Sequence, residues 1–78
     1  MSTDPPILTA TLTFPPGLDR NDLTIADERY RVVASLSWRP DTPGVGNWDA
    51  ALARLRYVRT TPWQRDEVGF RCTVEPLG

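Results

Sequence analysis

Arginine and tryptophan are the side chains whose types and spacing in this chain best suit binding chemistry. All nine basic residues are arginine, and Arg54, Arg56 and Arg59 follow one another without an intervening acidic residue. Arginine and tryptophan are typical of the residues that dominate the binding energy of protein interfaces. The same pair of side chains can also stack on and clamp single-stranded nucleic acid. The predicted partner-binding residues are Trp38, Arg39, Trp48, Arg54, Arg56, Arg59 and Trp63.

These residues also have a purely structural interpretation, which stays open at this point. Tryptophans beside loops can cap a small core, and arginines can extend from a solvated face toward acidic residues in turns. The absence of lysine fits a GC-rich genome, whose codons favour arginine, alanine and proline. We therefore expect a bacterial or phage origin. Protein partners are expected before nucleic acid, because the net charge of the chain is −1.

Catalytic and metal-binding chemistry has few side chains to draw on. The chain has no histidine and one cysteine, Cys72, so it lacks the ligands of a conventional zinc site. Without histidine or lysine, the usual general bases reduce to a few carboxylates in turns. Cys72 shares a predicted strand face with Phe70 and Val74, which is typical of a buried apolar residue rather than a nucleophile. The prediction is a non-enzymatic protein with no catalytic residue, no metal site and no cofactor.

The size of the chain bears on what must stabilise it. Its 78 residues form one small domain, and such a domain buries only about 60% of the surface exposed on unfolding. Because one cysteine cannot form a disulfide within the chain, self-association or a larger partner remains as the source of added stability. No apolar run has the length of a membrane span, and residues 1–6 lack the pattern of a secretory signal. We expect a cytoplasmic protein or a virion component, with a protein partner and no membrane partner.

Apolar and polar residues alternate in four stretches, and this alternation predicts the elements that carry the side chains above. Successive side chains on a strand point to opposite faces, so the pattern predicts a sheet with one dry and one solvated face. The apolar positions are Leu8, Ala10, Leu12 and Phe14; Tyr30, Val32, Ala34, Leu36 and Trp38; Leu55 and Tyr57; and Val68, Phe70, Cys72 and Val74. The predicted fold is mainly β, a small antiparallel meander of four to five strands in an open sheet or partial barrel.

The predicted boundaries follow from the alternation and from proline and glycine, which interrupt strands. The predicted strands cover residues 7–14, 23–25, 29–38, 52–61 and 68–75, with a proline- and glycine-rich loop at 39–47. One domain therefore spans residues 7–75, and residues 1–6 and 76–78 are tails.

The segment from Trp48 onward fits two structures. A helix is favoured because Asn47 is a suitable N-cap, Asp49 lies in the first turn, and good helix formers follow. A strand is favoured by the alternation of Leu55 and Tyr57 with arginines. The prediction is a short helical or turn-like start near Trp48 and a strand from about residue 52. The alternative is an α+β fold, in which a helix near residues 48–56 packs on the sheet.

Several short motifs occur in a fixed order in the C-terminal half. They are Arg31-Val32 before Ser37-Trp38, then Arg54 or Arg56, then Thr61-Pro62, and finally Gly69-Phe70-Arg71-Cys72. In this order they resemble the last segment of the formylglycine-generating-enzyme (sulfatase-modifying factor) family. Two features depart from that family: Ser35-Leu36 replaces its Gly-Gly pair, and residues 39–53 lack its copper-binding cysteine pair. The resemblance implies a non-catalytic remnant or a C-type-lectin-like binding piece, with a strand near residues 55–60.

Three functional hypotheses result. The preferred one is a small interaction or assembly module that is homo-oligomeric or one subunit of a larger complex. The second is a module that binds single-stranded nucleic acid through the same arginines and tryptophans. The third is the non-catalytic accessory piece that the family resemblance implies.

Overall fold

A computed structural model describes residues 7–42 and 47–77, and it confirms the mainly β prediction. Six antiparallel strands of these residues form a curled, half-barrel sheet, and one short helix accompanies them. The elements are β1 (Leu8–Thr13), β2 (Asn21–Ala26), β3 (Val32–Trp38), α1 (Trp48–Arg54), β4 (Tyr57–Arg59), β5 (Gln64–Arg65) and β6 (Gly69–Pro76). The predicted tail at 1–6 and residues 43–46 of the predicted loop lie outside the described residues, as does Gly78.

The strand order is β3-β2-β1-β6-β4, with β5 also paired to β6. The first three strands form the predicted meander, but β6 returns to pair with β1, so the sheet is not a meander throughout. This pairing brings dry-face residues together, with Ala10 opposite Cys72 and Leu12 opposite Phe70. β6 therefore lies inside the sheet, between β1 and the β4–β5 edge, where its apolar face can be buried.

The core lies on one face of the sheet and is closed by α1. Alternate residues of β1, β2 and β6 point into it, and Ala51 and Leu52 of α1 pack against them. The fully buried large side chains are Leu12, Leu23, Ile25 and Leu52. The opposite face carries threonine and serine, as the alternation predicts. A sheet this small needs such a cover, since a single layer leaves half of each strand in water.

Helix α1 corrects the predicted boundary between helix and strand. Asn47 caps its first turn, with the side-chain Oδ1 accepting from the Ala50 backbone N–H at 2.7 Å. Leu52, predicted to begin a strand, is instead in the helix and buried. The helix ends because Arg56 adopts a left-handed backbone, with φ of 69°, and the strand begins only at Tyr57. Capping and helix propensity thus outweigh the short alternation at Leu55 and Tyr57.

The turn between β2 and β3 shortens the predicted strand 29–38. The Asp27 carboxylate accepts from the backbone N–H groups of Arg29 and Arg31, each at 2.9 Å. These bonds lower the pKa of Asp27, that from Arg31 most of all. Tyr30 has φ of 61° and is 90% exposed, so its predicted place on the dry face is wrong. The carboxylate holds the chain in a turn through Arg31, and the strand starts at Val32.

The turn before β6 is also held by an aspartate that accepts hydrogen bonds from the backbone. Asp66 accepts from the backbone N–H groups of Val68 and Gly69, each at 2.9 Å. Val68 therefore lies in the turn, 65% exposed, rather than on the dry face as predicted. Gly69 must lack a side chain, because a Cβ there would overlap the backbone carbonyl of Leu12 on the neighbouring strand.

The end of the domain also differs from the predicted boundary. Pro76 belongs to β6, opposite Tyr57, and the Leu77 N–H donates to the Arg56 carbonyl at 2.9 Å. Pro76 is therefore part of the folded sheet, and Leu77 is hydrogen-bonded to the residue before β4.

Candidate binding surface

Four aromatic rings meet at one end of the sheet, and none is fully buried. Phe14 is 43% exposed, and Trp48, Trp63 and Phe70 are half-buried. Ring centroids are 4.6 Å apart for Trp48 and Phe70, 5.5 Å for Trp48 and Trp63, and 6.1 Å for Phe14 and Trp48. These separations and the tilted or edge-on geometry are typical of favourable aromatic contacts. We call these four residues the aromatic cluster.

Each ring is placed by a different element. Phe14 directly follows β1, and Phe70 lies near the start of β6 opposite Leu12, so the β1–β6 pairing brings the two phenylalanines together. Trp48 is the first residue of α1, directly after the Asn47 cap. Trp63 precedes β5. The cluster therefore depends on the return of β6 to pair with β1, which brings the first and last strands together.

The carboxylate of Asp49 fixes one side of the cluster. It accepts from Nε of Arg59 at 3.0 Å, from Nη2 of Arg59 at 3.3 Å, and from the indole Nε1 of Trp63 at 3.1 Å. Nη1 of Arg59 donates to the Thr61 carbonyl at 3.2 Å. The guanidinium is thus held by two groups, and it in turn orients the carboxylate toward the indole.

This geometry sets the charge state of the pair. The Arg59 bond, followed by the Trp63 bond, lowers the pKa of Asp49 below its ordinary value of 3.8. The same bond raises the pKa of Arg59. Both groups are ionised at neutral pH even at their ordinary pKa values, and the mutual shifts strengthen this state, so this side of the cluster carries fixed polar atoms without a net charge.

Two shallow depressions flank the rings. One, of about 350 Å³, is lined by Asn47, Trp48, Asp49 and Trp63. The second contains Phe14 and Phe70 beside the Asp66 turn and is lined by Phe14, Arg65, Asp66, Glu67, Val68, Gly69 and Phe70. The first combines ring surface with the Asp49 carboxylate and the Asn47 amide, and the second combines it with charges of both signs. This arrangement suits contact with a polypeptide, which offers apolar side chains together with hydrogen-bonding groups.

The structure brings together three of the seven predicted binding residues. Trp48, Trp63 and Arg59 lie at the aromatic cluster, joined through Asp49. Arg54 is at the opposite end of α1, about 9 Å along the helix axis from Trp48. Arg54 and Arg56 are exposed beside the helix end rather than beside the rings.

Trp38 and Arg39 lie apart from the cluster, at the end of β3. Trp38 is only 7% exposed and belongs to the core, so it offers little contact area. Arg39 is exposed and borders a different depression, lined by Leu18, Asp19, Arg20, Ser37, Trp38 and Arg39. The predicted surface is therefore divided into separate places on the molecule.

Sequence reasoning missed Phe14, Phe70 and Asp49 as members of this surface. The alternation assigned both phenylalanines to the dry face, and only the pairing of Leu12 with Phe70 places them at one end together. Asp49 was recognisable from the sequence only as an acidic residue in the first turn of a helix, and that position does not predict its ion pair with Arg59. The useful signal would have been the short helix itself, because its first turn carries both Trp48 and Asp49.

Cys72 is 4% exposed, and its burial raises the pKa of the thiol to about 11. The thiol therefore stays protonated at neutral pH, where it is a poor nucleophile. Within residues 7–42 and 47–77, no group of three or more His, Cys, Asp or Glu side chains is arranged to hold a metal ion. In the same part of the chain, no helix has both the length and the apolar character needed to cross a membrane.

Comparison with known proteins assigns the chain to no family. No family model matches it, and neither a curated protein nor a solved structure does. The resemblance to the formylglycine-generating-enzyme family stays a prediction.

Proposed function

We propose that this protein is a small non-enzymatic interaction module that binds a partner protein through the aromatic cluster and the adjoining Asp49–Arg59 pair. The observation that carries the proposal is the half-exposed state of four neighbouring rings beside a core that buries its aliphatic residues almost completely. A contiguous patch of exposed apolar surface is typical of an interaction site. Tryptophan and arginine together are typical of the residues at the energetic centre of such sites.

The hydrogen bonds around Asp49 support the proposal because they hold the surface in one conformation. Asp49 accepts from both Trp63 and Arg59, so the indole and the guanidinium have restricted rotamers before any partner arrives. Binding then loses less side-chain entropy than it would at a mobile surface. Trp48 adds rigidity because it packs against Trp63 and also contacts the core.

The charges near the rings favour a protein partner over single-stranded nucleic acid. Arg59 is balanced by Asp49, and Arg65 lies beside Asp66 and Glu67 at the second depression. A nucleic-acid surface combines stacking rings with a groove of uncompensated positive charge that follows the phosphates. Here each arginine at the rings has an acidic neighbour, which suits a partner of mixed charge.

The test compares the wild-type protein and three variants as affinity baits in an extract of the source cell. Phe14→Ala removes an exposed ring outside any strand, and Trp63→Phe keeps an aromatic ring but removes the indole N–H that Asp49 accepts. Arg56→Glu, a charge reversal away from the rings, is the matched control. We expect one partner in stoichiometric amount with wild-type and Arg56→Glu baits, and strong loss with Phe14→Ala and Trp63→Phe.

The result that overturns the proposal is equal capture by all of these baits, provided that circular dichroism shows each to be folded. Capture that disappears on nuclease treatment, together with salt-sensitive binding of a labelled single-stranded oligonucleotide, would replace the protein partner by nucleic acid.

A further inference from the structure

The first depression beside the rings combines two indoles with one carboxylate and one amide. Its lining residues are Asn47, Trp48, Asp49 and Trp63, and we call this depression the indole corner. The planes of the two indole rings are 78° apart and their centroids are separated by 5.5 Å, so the rings form a corner rather than a flat surface. The volume of about 350 Å³ is enough for one long side chain.

The hydrogen bonds already made at the indole corner limit what a ligand can use. The indole N–H of Trp63 is bonded to Asp49, so it is not free to donate to a ligand. The Oδ1 atom of Asn47 accepts from the Ala50 backbone N–H, which leaves the side-chain NH2 group of Asn47 able to donate. A carboxylate has about four acceptor sites, and Arg59 and Trp63 take two on Oδ1 and one on Oδ2 of Asp49. One acceptor site on Oδ2 therefore remains for a ligand.

The charges at the indole corner favour a cation. Asp49 is the only charged residue that lines the corner in the part of the chain that the structure describes, and its side chain is 56% exposed. The ion pair with Arg59 is neutral as a whole, but the carboxylate lines the corner and the guanidinium does not. The faces of indole rings also attract cations. An anion is disfavoured by the same groups, and the Ala50 N–H at the start of α1 is already bonded.

We propose that the indole corner binds a lysine side chain of the partner protein, an inference that rests on the proposed function. The ε-ammonium donates to Oδ2 of Asp49, and the aliphatic part of the lysine packs against the indoles. Arginine fits less well, because a guanidinium binds a carboxylate best through two parallel bonds. Arg59 already occupies that face of Asp49 through Nε and Nη2. A compact ammonium needs only the acceptor site that remains.

The test is a titration of isotope-labelled protein with small probes, followed by the indole N–H signals in NMR spectra. Nα-acetyl-lysine amide is the cationic probe, and Nα,Nε-diacetyl-lysine amide is a neutral probe with a closely similar side chain. We expect the cationic probe to shift the signals of Trp48 and Trp63 to saturation and to bind about tenfold more tightly than the neutral probe. Nα-acetyl-arginine amide should bind more weakly than the lysine probe. Trp38 is 7% exposed in the core and should not respond.

Three variants separate the charge of Asp49 from its structural role. Asp49→Asn keeps an oxygen that can accept from Trp63 but removes the charge, so it should abolish the preference for the cationic probe. Arg59→Gln leaves the carboxylate without its counter-ion and should tighten binding of the cationic probe by about two- to fivefold at low salt. Structural damage would instead weaken binding of both probes. Glu67→Gln, the matched control, removes the same charge at the second depression and should change neither probe.

The proposal is overturned if wild-type protein shows no saturable shift, or if it binds the neutral or the arginine probe as tightly as the lysine probe. Retention of the preference in Asp49→Asn would also overturn it. If Asp49→Asn fails to fold, the tightening expected for Arg59→Gln decides instead, and its absence overturns the proposal.

The result with the probes is independent of the affinity baits. Selective loss of capture by the Phe14→Ala and Trp63→Phe baits, together with equal binding of the probes, would overturn the lysine site and keep the proposed function. Equal capture by all folded baits, together with a clear preference for the lysine probe, would overturn the proposed function and support the site.

Discussion

The two sides of the sheet differ in how their residues are covered. Beside β6, the sheet is bordered by α1 and by the β4–β5 segment, whose side chains form ion pairs and hydrogen bonds. On the other side β3 is the last strand, and its Val32 side chain is mostly exposed. The two sides differ because only the first has a helix to cover its apolar residues. The comparison teaches that the helix and the short strands complete one side of this small sheet, whereas β3 has no further strand beside it in the part of the chain that the structure describes.

Threonine hydroxyls hold the interrupted edge in place. Thr73 donates its backbone N–H to Oγ1 of Thr61 at 2.9 Å, and the hydroxyls of Thr60 and Thr73 are 2.7 Å apart. The Thr60 N–H donates to the Thr73 carbonyl at 2.9 Å. Threonine side chains thus provide hydrogen-bond partners for β6 in the interval between the end of β4 and the start of β5. No such local compensation is seen along β3 in the part of the chain that the structure describes.

The largest expected effect tests whether α1 carries the stability of its side. Leu52→Ala removes a buried side chain that joins α1 to the sheet, and we expect it to lower the free energy of unfolding by about 2–5 kcal/mol. Val32→Ala, at the open edge, should change it by no more than about 0.5 kcal/mol. Urea denaturation of dilute protein measures both. Equal losses for the two variants would show that β3 is as well packed as the helix side.

A smaller effect tests the turns that begin the two edge strands. Tyr30 before β3 and Arg56 before β4 both have positive φ, a conformation that glycine adopts without strain. We expect Tyr30→Gly to raise the free energy of unfolding by about 0.5–1 kcal/mol. Arg56→Gly should raise it by a similar amount, since neither side chain is buried. Thermal and urea denaturation measure the gain, and a loss in either variant would show that the side chain makes a stabilising contact.

The smallest effect concerns the acidic residues that organise each side, Asp27 in the β2–β3 turn and Asp49 beside Arg59. The pKa of each carboxyl group is below its ordinary value of 3.8, so each ionised carboxylate stabilises the fold at pH values above 3.8. That contribution is lost as pH falls through the lower pKa of the folded state. Asp27→Asn and Asp49→Asn should each reduce stability at neutral pH and flatten its decline between about pH 5 and pH 2. Denaturation at a series of pH values measures the slopes, and Asp41→Asn is the control.

An unchanged acid slope in Asp49→Asn would show that the ion pair with Arg59 does not contribute to folding. An unchanged slope in Asp27→Asn would show the same for the backbone bonds from Arg29 and Arg31. Comparison of the two variants therefore measures which side of the sheet depends more on its carboxylate.

Much of the fold was predictable because a strand has a strict period of two. Leu8, Ala10 and Leu12 are buried as the alternation requires, and so are Cys72 and Val74. The predictions failed where side chains bind the backbone. Asp27 and Asp66 bend the chain at positions that the alternation assigned to strands, because a carboxylate accepting two N–H groups outweighs the preference of one apolar residue for the dry face.

The candidate surface was less predictable than the fold. Trp48, Trp63 and Arg59 were selected by residue type, which has no information on distance. Their link through Asp49 and their contact with Phe14 and Phe70 depend on pairings between residues far apart in sequence. Trp38 has the same composition signal as the other tryptophans, yet it is buried because β3 ends against the core.

The sequence by itself determined that the chain is a β-rich domain with one dry face, that a helical or turn-like segment starts near Trp48, and that Cys72 is buried. These are local consequences of side-chain direction, capping and hydrophobicity. Only the tertiary structure decided that β6 returns to pair with β1, that four aromatic rings meet at one end, and that β3 is the last strand at its edge of the described sheet. Strand order depends on which distant faces bury the most apolar area together, and that choice is made by the whole chain at once.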